Sequence, residues 1–292
     1  MPCRVRPRGL CKGCQGRSNS LSGLFDVRVP EASSLKLGDY LSDLRQVYSD
    51  LYVEDKLAKR TPIGGEIPKG LYSKAAYLCV PRSCNKILIP KQLTGDYAYL
   101  LGALRDCTAY GREYEIKFTQ ASKEWLLRSV AGRLGVVFGV TRFGLSYRPD
   151  SRTYALKINS KALFSILVSH ARIDLKPNPT PPILKDSPFG VQRSYIAGFY
   201  DAEGDKSLTR IRMWQSWPHP SNCPPLYDVK DMLERQRIRS GVVKVGRGVS
   251  GLYEFSLEVY ANPRGNKEEF MNLIPLEHPH ISLRGPRKFR RA

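Results

Sequence analysis

Two copies of one apolar helical pattern constrain this chain more than any other feature. The clearer copy is Ser194-Tyr-Ile-Ala-Gly-Phe-Tyr-Asp-Ala-Glu-Gly-Asp205. Ala197 and Gly198 leave room for a second helix to approach closely. Glu203 falls in the last helical turn, where the helix macrodipole already places negative charge, so a cation is needed to stabilise it there. Gly204 is expected as a left-handed C-cap. The other copy is Tyr97-Ala-Tyr-Leu-Leu-Gly-Ala-Leu-Arg-Asp-Cys-Thr108, with Gly102 matching Gly198 at a separation of 96 residues. Two small-residue helices of one pattern are expected to pack on each other.

These segments resemble the LAGLIDADG family of homing endonucleases in its single-chain, two-motif form. The resemblance spans roughly residues 88 to 280. The second copy fits the motif closely, and the first departs at its catalytic end. The lead-in Lys86-Ile-Leu-Ile-Pro-Lys-Gln-Leu-Thr-Gly-Asp-Tyr97 is similar to the approach to the first motif in archaeal members. The resemblance implies an α+β fold: two pseudosymmetric α-β-β-α-β-β-α halves forming a DNA-binding saddle, with the motif helices crossing between them. It also implies a monomeric, Mg²⁺-dependent endonuclease that cuts double-stranded DNA in intron-type homing. The alternative is an RNA maturase acting on intron RNA, or a cleavage-defective DNA-binding protein.

Charge agrees with a polyanionic partner. The 292 residues carry 47 Lys and Arg against 27 Asp and Glu, a formal charge of +20. Nucleic acid is the first expectation from that balance. No apolar run approaches a membrane span and no signal-peptide core opens the chain, so an intracellular, cytoplasmic and nucleoid-associated protein is expected, with no membrane partner. The seven cysteines are expected to stay reduced. Cys11 and Cys14 have the spacing of half a zinc knuckle, and Cys3, Cys79 and Cys84 are the available completions. A single tight pair favours thiols over structural zinc.

The chain divides at composition breaks. Residues 1–87 are read as a basic, Cys-containing extension. Its first 34 residues form an arm. An amphipathic helix is expected over 37–58, from Leu41, Leu44, Tyr48 and Leu51, and a loop over 60–72. The first half is 88–176, a proline-rich linker 177–186, the second half 187–280, and a basic tail 281–292. Within the first half, a motif helix is expected over 93–107 and a strand over 113–120. A helix near 122–134, strands near 136–148 and 152–159 and a helix over 160–170 follow. The second half repeats this order: helix 188–204, strand 209–216, helix 225–238, strands 241–247 and 252–260, helix 266–273.

Phosphodiester hydrolysis needs in-line attack by water and neutralisation of charge on the attacking and leaving oxygens. Divalent metal held by carboxylates supplies both. Glu203 is in register with the family's catalytic acid. Aligned on the glycines, its counterpart is Cys107, a poor magnesium ligand. Asp106, one residue earlier, would point about 100° away on a regular helix. It becomes the first-half ligand if the last turn tightens to 3₁₀; otherwise it is a solvated Asp beside a degenerate site. Gln120 and Gln215 share strand parity with apolar neighbours. In the family such residues hold metal-bound water; alternatively they bond local backbone. The family often places a lysine on the fourth strand, and Lys157 is the candidate, with a simple phosphate contact as its other role. For DNA contact, Arg210, Arg212 and Trp214 share a strand face opposite Ile211 and Met213, with Lys117 on the matching strand. Arg142, Arg148, Lys244 and Arg247 complete the candidates.

Overall fold

The structure, a computed structural model, describes residues 52–55, 60–62, 75–80, 86–175, 177–205, 210–248, 251–262 and 264–279. The basic arm, Cys3, Cys11, Cys14, Cys84, most of the expected 37–58 helix and the basic tail lie outside them. Cys79, Cys107 and Cys223 form no disulfide.

The first four strands are β1 (Tyr52–Asp55), β2 (Arg60–Pro62), β3 (Ala75–Cys79) and β4 (Ile87–Leu88), paired in the order β2-β1-β3-β4. This sheet corrects two sequence expectations. Residues 52–55 continue no helix, and 60–62 belong to a strand rather than a loop. The cause is non-local: Glu54 is buried and ion-paired to Lys86, while Leu78 and Ile87 enter the main core. Spacing within 37–58 carries no trace of those partners.

The first half opens with α1 (Gly95–Ala103). Its start is set by Thr94, whose Oγ1 accepts from the Tyr97 amide at 3.2 Å, with Asp96 in the first turn opposite the positive helix end. A 3₁₀ turn follows over Leu104–Asp106, and then β5 (Cys107–Tyr110) and β6 (Glu115–Gln120). Next come α2 (Lys123–Trp125), a π-helical turn (Leu126–Ala131), α3 (Gly132–Phe138), β7 (Gly144–Arg148), β8 (Thr153–Asn159) and α4 (Lys161–Ala171). Ser122 and Ser160 cap α2 and α4 through their hydroxyls. Gly139, at φ 69°, closes α3 in the left-handed conformation. The four strands pair as β5-β6-β8-β7.

The second half repeats this plan with α5 (Phe189–Glu203), β9 (Arg212–Trp217), α6 (Pro224–Arg235), β10 (Ser240–Arg247), β11 (Tyr253–Val259) and α7 (Asn266–Leu273). Its sheet is three-stranded, β10-β11-β9, and an isolated bridge between Gly204 and Met213 stands where β5 pairs in the first half. The separate strand β5 was not expected from sequence, because the apolar run of the motif reads as helix through Cys107.

Burial in the core also sets one titration. His170 on α4 is 5% exposed and hydrogen bonds through Nδ1 to the Tyr97 hydroxyl. Burial holds its pKa down at about 4. An unfolded histidine takes up its proton near 6.5. Between those values the unfolded state therefore binds more protons, and stability falls as pH drops. The expected slope is up to about 1.4 kcal/mol per pH unit. Melting curves of wild type and His170→Gln from pH 7 to pH 4 check this. The variant should lose stability less steeply; parallel curves would contradict it.

Candidate active centre and nucleic-acid face

The two motif helices touch backbone to backbone. A Cβ on Gly102 would stand 2.6 Å from Phe199 N, and one on Gly198 would stand 2.9 Å from the carbonyl carbon of Tyr99. No side chain larger than hydrogen fits at either crossing point, so both glycines are explained by close approach.

Sheet register shows how the two helix ends correspond. Cys107, the residue after Asp106, pairs with Phe118, and Gly204, the residue after Glu203, bridges Met213. Two residues beyond Phe118 and Met213 stand Gln120 and Gln215. Asp106 and Glu203 therefore occupy matching places, each the last residue before its chain enters its sheet. The glycine alignment, which set Cys107 against Glu203, is offset by one. The 3₁₀ turn over Leu104–Asp106 absorbs that residue, since it advances 120° per residue instead of 100°.

The ends also converge. Gln120 Nε2 donates to the carbonyl of Ala202 at 3.0 Å, crossing from the first half to the residue before Glu203. Gln215 crosses the other way, lining a cleft of about 220 Å³ with Arg105 and Cys107. Its Oε1 is buried without a hydrogen-bond partner. Gly204 is not the expected left-handed cap. Its φ is −84° and ψ 157°, extended backbone that starts the bridge. Glycine is required there because a Cβ would lie 2.8 Å from the Tyr200 ring.

Lys157 faces outward from the core, as its strand parity implies. It faces Lys117 across β6 and β8, with Nζ 3.5 Å from Glu115 Oε2. Gln120 faces Tyr154 instead. Lys157 lies in the row of Thr108, two residues past Asp106, with Lys117 of β6 between them.

On the first sheet Thr108, Lys117, Lys157 and Gly144 lie side by side, away from the apolar row of Cys107, Phe118, Leu156 and Leu145. Arg148 shares the outer row's parity at the end of β7 and is exposed. Arg142 is exposed in the loop before β7, in a cleft with Lys86 and Ser160. In the second half Ile211 and Met213 are buried, and Arg212 and Trp214 face outward, with Arg210 exposed just before β9. Arg212 is held by Glu258 at 3.0 Å, and Trp214 donates from Nε1 to Asp205 at 3.0 Å. Lys244 and Arg247 do not join that row. They pair with Phe255 and Tyr253 on the opposite parity, across a bulge between Lys244 and Gly246. Both cations stand 5.6 Å from the Tyr253 ring, at the edge of the core face.

Sequence reasoning missed a buried polar layer flanking the helix crossing. Tyr99 donates to Asp201 at 2.5 Å, and Arg105 donates to the Tyr195 hydroxyl at 2.8 Å. Tyr99 and Tyr195 share the glycines' separation, the one signal that could have found them.

A curated relative, the homing endonuclease I-ApeI of Aeropyrum pernix, is 30% identical over 192 residues, covering 62% of this chain and 81% of the relative. The chain belongs to the LAGLIDADG family of homing endonucleases. No family model matches it. Among solved structures, I-DmoI in complex with DNA and Mn is 22% identical, with a TM-score of 0.47, covering 63% of this chain and 98% of that one. The N-terminal LAGLIDADG domain of DUF199/WhiA is 10% identical at a TM-score of 0.42, over 63% and 82% of the two chains. The α+β architecture of this homing endonuclease is that of its family. Among the described residues no helix is long and apolar enough to cross a membrane.

Proposed function

We propose that this chain cleaves double-stranded DNA at a specific site by divalent-metal-dependent phosphodiester hydrolysis, as a monomer, with Mg²⁺ as the working metal. The observation that carries this reading is the matched placement of Asp106 and Glu203 at two converging helix ends. Carboxylate oxygens are hard donors that suit a hard cation, and the negative ends of two helices add to the attraction. Gln215, whose Oε1 is buried without a hydrogen-bond partner, lines the cleft with Arg105 and Cys107, the two chain neighbours of Asp106. Among the described residues no group of three or more His, Cys, Asp or Glu is gathered. That suits a metal which keeps waters and substrate phosphate oxygens in its shell.

Asp106 and Glu203 would hold the metal, which supplies charge neutralisation and a more acidic water. Gln120, with Nε2 committed to Ala202, keeps Oε1 to accept from a water. Lys117, Lys157 and Arg148 on one sheet, and Arg210 and Arg212 on the other, would contact phosphates or base edges. The 56% exposed Val243 sits beside Ser256 and Trp214 on the outer face and suits a thymine methyl. Lys244 and Arg247, off that face, are assigned to flanking phosphate.

A plasmid library with a randomised insert, incubated with the protein and Mg²⁺, tests this. Linear product with one enriched insert is expected. DNA that is bound and never cut, with Mg²⁺ or Mn²⁺, would overturn the nuclease reading in favour of a binder or RNA maturase. Binding should also weaken steeply with salt, because Lys and Arg displace condensed counterions. For six to ten phosphate contacts the loss is roughly 10³- to 10⁵-fold between 50 and 200 mM. Salt-independent affinity in a filter-binding titration would contradict it.

A further inference from the structure

The polar layer beside the helix crossing contains two locks related by the pseudo-twofold and opposite in charge. In one, Arg105 reaches across to the Tyr195 hydroxyl at 2.8 Å. It also donates to the carbonyls of Asn178 and Pro179, with its guanidinium 5.0 Å from the Phe199 ring centre. In the other, Asp201 accepts from the Tyr99 hydroxyl at 2.5 Å and from the Glu277 amide at 2.8 Å. Both are buried: Arg105 is 8% exposed and Asp201 0%. Arg105 and Asp201 are separated by the same 96 residues as the glycines.

Each lock fastens the segment that trails its own half. Ile173, at the start of the segment after α4, is buried, as is Ile274 after α7. The reversed polarity follows from what each segment offers. The first runs through Pro177, Asn178 and Pro179. The prolines have no N–H, so the segment presents carbonyls and needs a donor. The second presents the amides of Glu277 and His278 and needs an acceptor. Tyrosine serves both because its hydroxyl donates to a carboxylate and accepts from a guanidinium.

Arg105 directly precedes Asp106, and Asp201 stands two residues before Glu203 on the same helix. We propose that Arg105 and Asp201 are positioning residues, each fixing the metal-binding carboxylate of its own half against that half's trailing segment, and so each weighing more on the cleavage of one DNA strand than on that of the other. This rests on the nuclease reading above. The pseudo-twofold relating the two acids matches the approximate twofold relating the two strands of a duplex. A disturbance of one lock therefore acts first on one scissile phosphate. A displacement of about 1 Å at a reacting group can cost on the order of a hundred-fold in rate.

The test uses the duplex recovered from the plasmid selection, labelled with different dyes at the two 5′ ends. Wild type, Arg105→Gln, Arg105→Lys, Asp201→Asn and Tyr195→Phe are compared for binding, melting and cleavage of each strand. Arg105→Gln should slow one strand roughly ten- to hundred-fold more than the other. Asp201→Asn should bias the opposite strand, while binding stays within a few-fold. Arg105→Lys, which keeps the donor, should restore part of the strand balance, and Tyr195→Phe should bias the same strand as Arg105→Gln. If Arg105→Gln does not fold, Tyr195→Phe supplies the same reading. A strand ratio unchanged from wild type in all variants would overturn the assignment, whatever the melts show. Wild type that fails to cut would overturn the nuclease reading and this inference with it. A cutting wild type with unbiased variants would overturn this inference alone.

Discussion

Glu203→Gln leaves supercoiled target plasmid uncut in Mg²⁺ while still retarding the target duplex in a gel. The substitution preserves shape and removes the charge that holds the metal. The expected fall in cleavage rate is on the order of a thousand-fold, about 4 kcal/mol of transition-state stabilisation. Binding should change only a few-fold, because the cationic outer rows of the two sheets are untouched. Asp106→Asn should behave the same way, since the 3₁₀ turn gives it the place that Glu203 holds in the other half. Nicked circles from Asp106→Asn would mean that the first acid serves one strand only. Full linearisation by Glu203→Gln would end the metal-carboxylate mechanism, and chelator on wild type provides the matching control.

Local pattern made much of this legible in the sequence, and the rest depended on contacts distant in the chain. The helices Lys161–Ala171, Pro224–Arg235 and Asn266–Leu273 fall within a few residues of where periodicity put them; Pro224–Arg235 buries the stripe Leu226, Val229, Met232 and Leu233, and Asn266–Leu273 is anchored by Phe270. The close approach at Gly102 and Gly198 was readable because no other residue type fits a backbone crossing. The N-terminal sheet was not, since Glu54 is buried through Lys86 and not through anything in its own window. Gly204 had the right residue type for a left-handed cap, yet it bridges Met213 itself, and extended backbone won. Lys157 shows the limit of alternation: parity fixes a face, and only register sets it in one row with Lys117 and Thr108. Arg105 bonds Tyr195 and Asn178, and Asp201 bonds Tyr99 and Glu277, all outside their own sequence windows. Their trailing segments, far along the chain, decide their roles.

Gly198→Ala should cost more stability than any surface change in this chain, for a reason visible in the backbone alone. Alanine is favoured over glycine within a helix by about 1 kcal/mol. Against that gain, the added methyl would lie within 3.0 Å of the Tyr99 carbonyl group. The obstructing atoms are main chain, so no rotamer change relieves the overlap, and the two helices must separate. Overpacking typically costs 1–3 kcal/mol, and a rigid obstruction puts this case at about 3 kcal/mol or beyond. Melting should fall by on the order of 10 °C. Gly102→Ala meets Phe199 N at 2.6 Å and should act alike. Gly190→Ala is the internal control: it lies in the same helix, nothing stands within 4 Å of its added methyl, and the helix-propensity gain should appear as a slight rise in melting temperature. Separation of the helices also moves Asp106 and Glu203 apart, so cleavage by Gly198→Ala should fall further than its folded fraction at the assay temperature. A variant melting with wild type would show that the two helices do not meet at these glycines, and the shared centre built on their crossing would go with it.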